Sequence, residues 1–154
     1  MKNFQYTRQE RYMLFWLRLL LTAFILAALL FVFIPSLLFE YLNNIGWVFF
    51  NFSSATVRYP TVEFWWVMSV GYKGVLAYVC FQAQRHWFQN HHFVPIIILG
   101  KVISAVGLTL LVFSAQPQFY YLVGAVTDGL IVLITWYFYG KALNSRSAIS
   151  PHAA

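Results

Sequence analysis

Four long apolar runs dominate this chain, at residues 13–34, 61–81, 93–113 and 119–139. Each holds about the 20 residues that an α-helix needs to cross the hydrocarbon core of a bilayer. The polar stretches that separate the last three runs are short. The sequence therefore predicts an all-α fold, an integral membrane four-helix bundle, as a single membrane domain over residues 1–154.

The composition agrees with this class of protein. The chain is 61% hydrophobic and only 9% charged, whereas a soluble domain has about 25% charged residues. A water-soluble fold of this size would not have enough charge to cover its surface. The first run is too long for the apolar core of a secretion signal, which has about 7–15 residues, and we interpret it as an uncleaved helix.

The connector at residues 35–60 mixes polar and aromatic side chains, such as Glu40, Asn43, Trp47 and Phe49. It is too polar to span a bilayer and too aromatic for an ordinary soluble loop. We expect an interfacial segment between the first and second helices. The residues after the fourth run, 140–154, are expected to form a polar tail.

The basic residues outside the helices indicate the orientation. They concentrate before the first run, between the second and third, and after the fourth, as Lys2, Arg8, Arg11, Arg85, Lys141 and Arg146. By the positive-inside rule, both termini of this multi-pass protein are expected to be cytoplasmic. The net charge of +6 does not indicate nucleic-acid binding, because no contiguous soluble basic surface remains to contact phosphates.

Three charged residues lie deep inside the predicted helices: Lys73, Lys101 and Asp128. A rise of about 1.5 Å per residue places them at similar heights in the bilayer. A charge at the bilayer centre costs about 2.5–3.5 kcal/mol on insertion scales, so each is a candidate functional residue. Other polar residues share their helix faces, which makes the full candidate ligand or ion site Lys73, Lys101, Asp128, Ser104, Tyr121 and Thr135.

The third and fourth helices are joined by a very short turn and should be antiparallel neighbours, so Lys101 and Asp128 can pair. Three interpretations of this pair stay open: a bridge that fixes helix register, a ligand, ion or proton site, or charges that reach a lipid headgroup or partner subunit. Lys73 also has three alternatives. It is neutral, it shares Asp128, or it binds an anionic group from a ligand or another chain. Small residues on the same helix faces as the charges, Gly74, Gly100, Gly107 and Gly124, are expected to let the helices approach closely.

No motif indicates a particular enzyme. The sequence lacks a nucleotide-binding loop, a metalloprotease helix, a haem attachment pair and a Ser-His-Asp constellation. His86, His91 and His92 have no Cys, Asp or Glu beside them in their loop and are interpreted as a solvated interfacial segment. We therefore assign no catalytic residue and no metal ligand, and the cofactor stays undetermined.

Residues 60–141 resemble small bacterial four-helix membrane proteins of the DoxX-like grouping. The residues that carry the resemblance are Gly100-Lys101 and Val126-Thr127-Asp128-Gly129. The resemblance implies a four-helix bundle in a bacterial inner membrane. It implies no substrate and no catalytic residue.

The leading functional hypothesis is a non-enzymatic accessory or assembly subunit, or a small lipophile-binding module. One alternative is a small ion- or proton-coupled transporter that uses Asp128 and Lys101. Another is a membrane enzyme that acts on a lipid or quinone, with Asp128 as its acid–base group. The expected partners are the lipid bilayer, further copies of the chain or a larger membrane complex, and a small lipophilic ligand.

Overall fold

The computed structural model describes residues 6–50, 63–113 and 118–147, and these ranges are helical apart from short links. In chain order the helices are α1 (Arg8–Phe33), α2 (Pro35–Phe50), α3 (Glu63–Arg85), α4 (Trp87–Asn90), α5 (Val94–Val112) and α6 (Phe119–Ser147). A 3-10 turn at His91–Phe93 joins α4 to α5. The described ranges contain no strand, so the prediction of an all-α fold is confirmed.

Three helical stretches in the described ranges are long and apolar enough to cross a bilayer. They are Arg8–Phe33, Trp87–Val112 and Phe119–Ser145. The predicted second span corresponds to α3, which has 23 residues and is not among these three. The structure thus supports a membrane protein with three candidate spans, one fewer than the sequence predicts.

Three helices extend beyond their predicted bounds because polar residues continue them. α3 ends at Arg85 rather than at residue 81, and α1 and α6 extend further. α1 begins at Arg8 rather than at residue 13, since Thr7 and Glu10 form a capping box at its start. The Glu10 N–H donates to Thr7 Oγ1 at 3.1 Å, and the Thr7 N–H donates to Glu10 Oε2 at 2.8 Å. These bonds satisfy amide groups that a helix start otherwise leaves free. At the other end of the chain, α6 continues to Ser147, so the predicted tail begins inside a helix.

The first half of the predicted connector is a helix, α2. It begins at Pro35, a residue suited to the first turn of a helix, and leaves Trp47 and Phe49 exposed. Asn43 Nδ2 donates to Gln118 Oε1 at 2.6 Å. A side chain at Gly46 would overlap Phe119, so this glycine lets α2 lie directly against the start of α6. The second half of the connector, residues 51–60, lies outside the described residues.

Neighbouring long helices run antiparallel. α1 lies between α3 and α6, and α5 packs against α6 and also contacts α3. Along α1 and α6, Thr7 contacts Ser145 and Trp16 contacts Thr135, so the start of one helix meets the end of the other. The apolar core between the helices includes Met13, Leu17, Leu20, Leu76, Cys80 and Ile97. Large apolar side chains also cover the outer faces, as expected where the surroundings are lipid rather than water.

Candidate functional site

Lys101 and Asp128 form an ion pair between α5 and α6. Lys101 Nζ donates to Asp128 Oδ1 at 2.6 Å, and the two side chains are only 8% and 11% exposed. This confirms the predicted contact, which follows from the antiparallel packing of two helices joined by a short turn. In a medium of low dielectric constant such a pair attracts strongly, and either charge alone would be costly.

Aromatic rings from the other two long helices enclose the ammonium group of Lys101. Its Nζ lies 4.9 Å from the ring centre of Phe24 on α1 and 5.8 Å from that of Tyr72 on α3. A cation over an aromatic ring is stabilised by about 0.5–1 kcal/mol or more, depending on its desolvation. The Lys101–Asp128 pair is therefore the point at which α1, α3, α5 and α6 meet.

The glycines of the site do not all act as predicted. A Cβ at Gly100 would lie 3.0 Å from Tyr72 Oη, so this glycine makes room for the tyrosine beside Lys101. At Gly124, one turn before Asp128, a Cβ would lie 2.8 Å from Leu108 Cδ1. At Gly74 and Gly107 an added Cβ would meet nothing within 4 Å, so the expected close approach at these two positions is wrong. A small residue on an inward face brings two helices close only where the partner helix packs directly against it.

Lys73 is not part of the ion pair. Its Nζ donates to Ser69 Oγ at 3.1 Å and lies 3.9 Å from the ring centre of Phe31 on α1. Among the residues of the three described ranges it has no carboxylate partner. Lys73 does not share Asp128, and its half-buried ammonium is held by a hydroxyl and an aromatic ring.

The face of α6 predicted to be internal is internal. Tyr121 is half-buried, and Thr135 is completely buried. Thr135 Oγ1 accepts a hydrogen bond from the Trp16 indole N–H at 2.9 Å, which ties α6 to α1 two turns away from Asp128. Ser104, one turn along α5 from Lys101, is half-buried. Thr135 therefore has a structural partner of its own, and the compact site consists of Lys101, Asp128 and the two rings.

We expect Thr135→Val to lower the free energy of unfolding by about 1–3 kcal/mol, because the indole N–H of Trp16 would lose its acceptor. Thr127→Val is a matched control on the same helix. Thr127 is exposed, and its hydroxyl donates only to the backbone carbonyl of Val123. Thermal unfolding in detergent measures both changes, and equal losses for the two variants would contradict this role of Thr135.

A second buried acid, Glu10, is not among the residues predicted from the sequence. Glu10 is 1% exposed, and its Oε1 accepts a hydrogen bond from the Trp87 indole N–H at 3.2 Å. Its other oxygen belongs to the capping box at the start of α1. The spacing Thr7-x-x-Glu10 before an apolar run is the sequence signature of such a box and would have identified the cap. Its contact with Trp87 depends on how the start of α4 lies against α1, which leaves no local signal in the sequence.

Two concavities of the described structure, of about 560 and 340 Å³, lie on the outside of α1, and neither is lined by Lys101 or Asp128. No group of three His, Cys, Asp or Glu side chains among the described residues is arranged to hold a metal ion. One polar atom beside the pair, Tyr72 Oη, is buried without a hydrogen-bond partner in the described structure.

Comparison with known proteins gives no relative for this chain. No protein-family model matches it, and neither a curated protein nor a solved structure is similar to it.

Proposed function

We propose that this protein is a non-enzymatic membrane module, an accessory or assembly subunit built as a four-helix bundle. In this proposal α3 is the fourth span, although it is less apolar than the others, because its polar residues face neighbouring helices. Tyr72 beside Lys101 and Lys73 beside Phe31 are the contacts that support this placement. α2 then lies at the interface between bilayer and water, where its exposed Trp47 fits.

Both termini are proposed to be cytoplasmic, in a bacterial inner membrane. Thr7 Oγ1 lies 3.0 Å from Ser145 Oγ, so the start of α1 and the end of α6 are at the same end of the protein. Trp87, which follows Arg85, contacts Glu10 at that end too. The positive-inside rule assigns this end, with its arginines, to the cytoplasm. The resemblance to DoxX-like proteins stays a prediction.

The closed geometry of the Lys101–Asp128 pair carries the proposal. A site that binds a substrate needs a cavity, with polar groups directed into it. Here the two charges neutralise each other at 2.6 Å, both side chains are buried, and two aromatic rings lie beside the ammonium group. An arrangement of this kind is suited to fixing the register of four helices, since any slip along α5 or α6 would separate two charges in an apolar medium.

A small proton- or ion-coupled transporter is the second candidate. The unpartnered hydroxyl of Tyr72 favours it, because a buried polar group beside an ion pair is suited to a site that opens in another conformation. In a transporter the Lys101–Asp128 pair would have to separate during the cycle.

Vesicles that contain a pH-sensitive dye distinguish the two functions. After a proton gradient is imposed, we expect wild type, Asp128→Asn and protein-free vesicles to lose it at the same rate. We also expect wild type and the double variant Lys101→Met/Asp128→Leu to migrate as the same assembly on native gels of membranes dissolved in mild detergent. Proton flux that requires Asp128, together with a single unassembled chain on the gel, would overturn the proposal in favour of the transporter.

A further inference from the structure

The outward face of α1 carries a line of arginines that continues into an apolar groove. Arg8, Arg11 and Arg18 are exposed and recur at helical spacing on the side opposite the buried Met13 and Leu17. The exposed apolar residues Phe15 and Leu26 share this side with them. The face is thus basic at the start of α1 and apolar toward its middle.

Two concavities on this side of α1 show the same change from a basic to an apolar lining. The first, of about 340 Å³, is lined by Arg8, Arg11 and Tyr12. The second is a groove of about 560 Å³, lined by Phe15, Arg18, Leu19, Thr22, Ala23 and Leu26. Arg18 lies in the groove about 10 Å further into the helix than Arg11, from a rise of about 1.5 Å per residue.

The arginines of this face lack an acidic partner within the described ranges. The ion pair found there joins Lys101 to Asp128. Arg8 contacts only the hydroxyl and ring of Tyr12, at 2.9 Å and 5.5 Å. The acid nearest in sequence, Glu10, is buried on the opposite side of α1, where it caps the helix and accepts from Trp87. Three positive charges therefore face outward at the edge of an apolar surface.

We infer that this face of α1 binds an anionic phospholipid of the surrounding leaflet. The negatively charged headgroup is held by Arg8, Arg11 and Arg18, and one acyl chain lies in the groove beside Ala23. A lipid joins an anionic group to an apolar chain, in the order in which the helix presents arginines and then apolar side chains. Basic residues at the end of a membrane helix attract anionic lipids, and each further positive charge strengthens the attraction. This inference is independent of the role of the Lys101–Asp128 pair.

The test measures lipid-dependent stability of the whole chain in detergent. Phosphatidylglycerol and phosphatidylcholine with identical acyl chains are titrated into wild type, and the unfolding temperature is followed. We expect phosphatidylglycerol to raise it at a lower concentration than phosphatidylcholine. In Arg11→Gln/Arg18→Gln the half-effective concentration of phosphatidylglycerol should rise by about tenfold or more, as the loss of two charges implies.

Three further variants separate a specific site from general attraction to negative charge. Lys141→Gln removes an exposed positive charge at the same end of the protein, but on α6, and should keep the response of wild type. Arg11→Lys/Arg18→Lys should keep most of it. Ala23→Phe fills the groove without changing any charge and should weaken the response.

The inference is overturned if both lipids act equally on wild type, or if Lys141→Gln lowers the response as much as the arginine variant. It is overturned as well if Ala23→Phe has no effect, since a headgroup alone would then explain binding. A wild type that binds neither lipid but dimerises through α1 would show that the face is a protein interface instead. Native mass spectrometry of the purified chain provides a second measurement, in which wild type should retain phosphatidylglycerol.

Discussion

Lys101→Met and Asp128→Leu should each lower the free energy of unfolding by about 3–5 kcal/mol, while the double variant should recover most of the loss. Each single change leaves one charge without its partner in an apolar interior. Asp128 without Lys101 has no other cation in hydrogen-bond contact in the described structure, and Lys101 without Asp128 retains only the rings of Phe24 and Tyr72. Together the two substitutions replace the pair with apolar side chains and remove the unpaired charge.

Thermal unfolding of the four proteins in one detergent completes the double-mutant cycle. Lys73→Met is the matched control, because Lys73 is also a lysine in the helical interior, but contacts only Ser69 and the ring of Phe31. We expect it to lower the free energy of unfolding by about 0.5–2 kcal/mol, the range for a cation–π contact between full exposure and desolvation. Four equally stable proteins would mean that the charges are retained for a ligand or a proton rather than for the fold.

The Lys101–Asp128 pair could be predicted from the sequence because its geometry is set by chain connectivity and membrane depth. A short turn after α5 makes α6 its antiparallel neighbour, and charges equally deep on two such helices lie opposite each other. Opposite charges buried in an apolar medium then have a strong reason to meet. The same reasoning gave Thr135 and Tyr121 an inward position, since both lie whole turns from Asp128 on α6.

The contributions of α1 and α3 could not be predicted in this way. Phe24 carries no charge, and nothing in the apolar run of α1 distinguishes it from neighbouring residues that face lipid. Tyr72 reaches Lys101 because Gly100 leaves space for its hydroxyl, which is a property of two packed surfaces. Lys73 lies at a depth similar to that of Lys101, but its ammonium group contacts the ring of Phe31. Depth along a helix is encoded locally, whereas the direction in which one helix faces another depends on all the side chains between them.

The buried glutamate at the start of α1 has a different origin from the Lys101–Asp128 pair. Glu10 has no cation bonded to it in the described ranges, and its two oxygens accept from the Thr7 N–H and the Trp87 indole N–H. The positive end of the α1 dipole also favours a carboxylate there. The negative charge of Glu10 is thus balanced by hydrogen-bond donors and a helix terminus.

Glu10→Ala is therefore expected to lower the free energy of unfolding by about 2–4 kcal/mol. Loss of the hydrogen bond from the Thr7 N–H to the Glu10 side chain contributes about 0.5–1.5 kcal/mol, and the unsatisfied indole N–H of Trp87 contributes about 1–3 kcal/mol. Glu10→Gln should cost less, about 1 kcal/mol, because its amide oxygen can still accept from one of the two donors. Arg11→Ala is the control, since Arg11 is exposed in the same turn of α1.

A double-mutant cycle with Trp87→Phe distinguishes the contact between Glu10 and Trp87 from a general loss of helix. Trp87→Phe keeps an aromatic ring in the core but removes the indole N–H. It therefore shows how much of the contribution of Glu10 to the free energy of unfolding depends on this donor. In the background of Trp87→Phe, Glu10→Ala should cost only the hydrogen bond from the Thr7 N–H, about 0.5–1.5 kcal/mol. If Glu10→Ala costs the same in both backgrounds, the 3.2 Å hydrogen bond does not stabilise the fold, and Glu10 acts only at the start of its own helix.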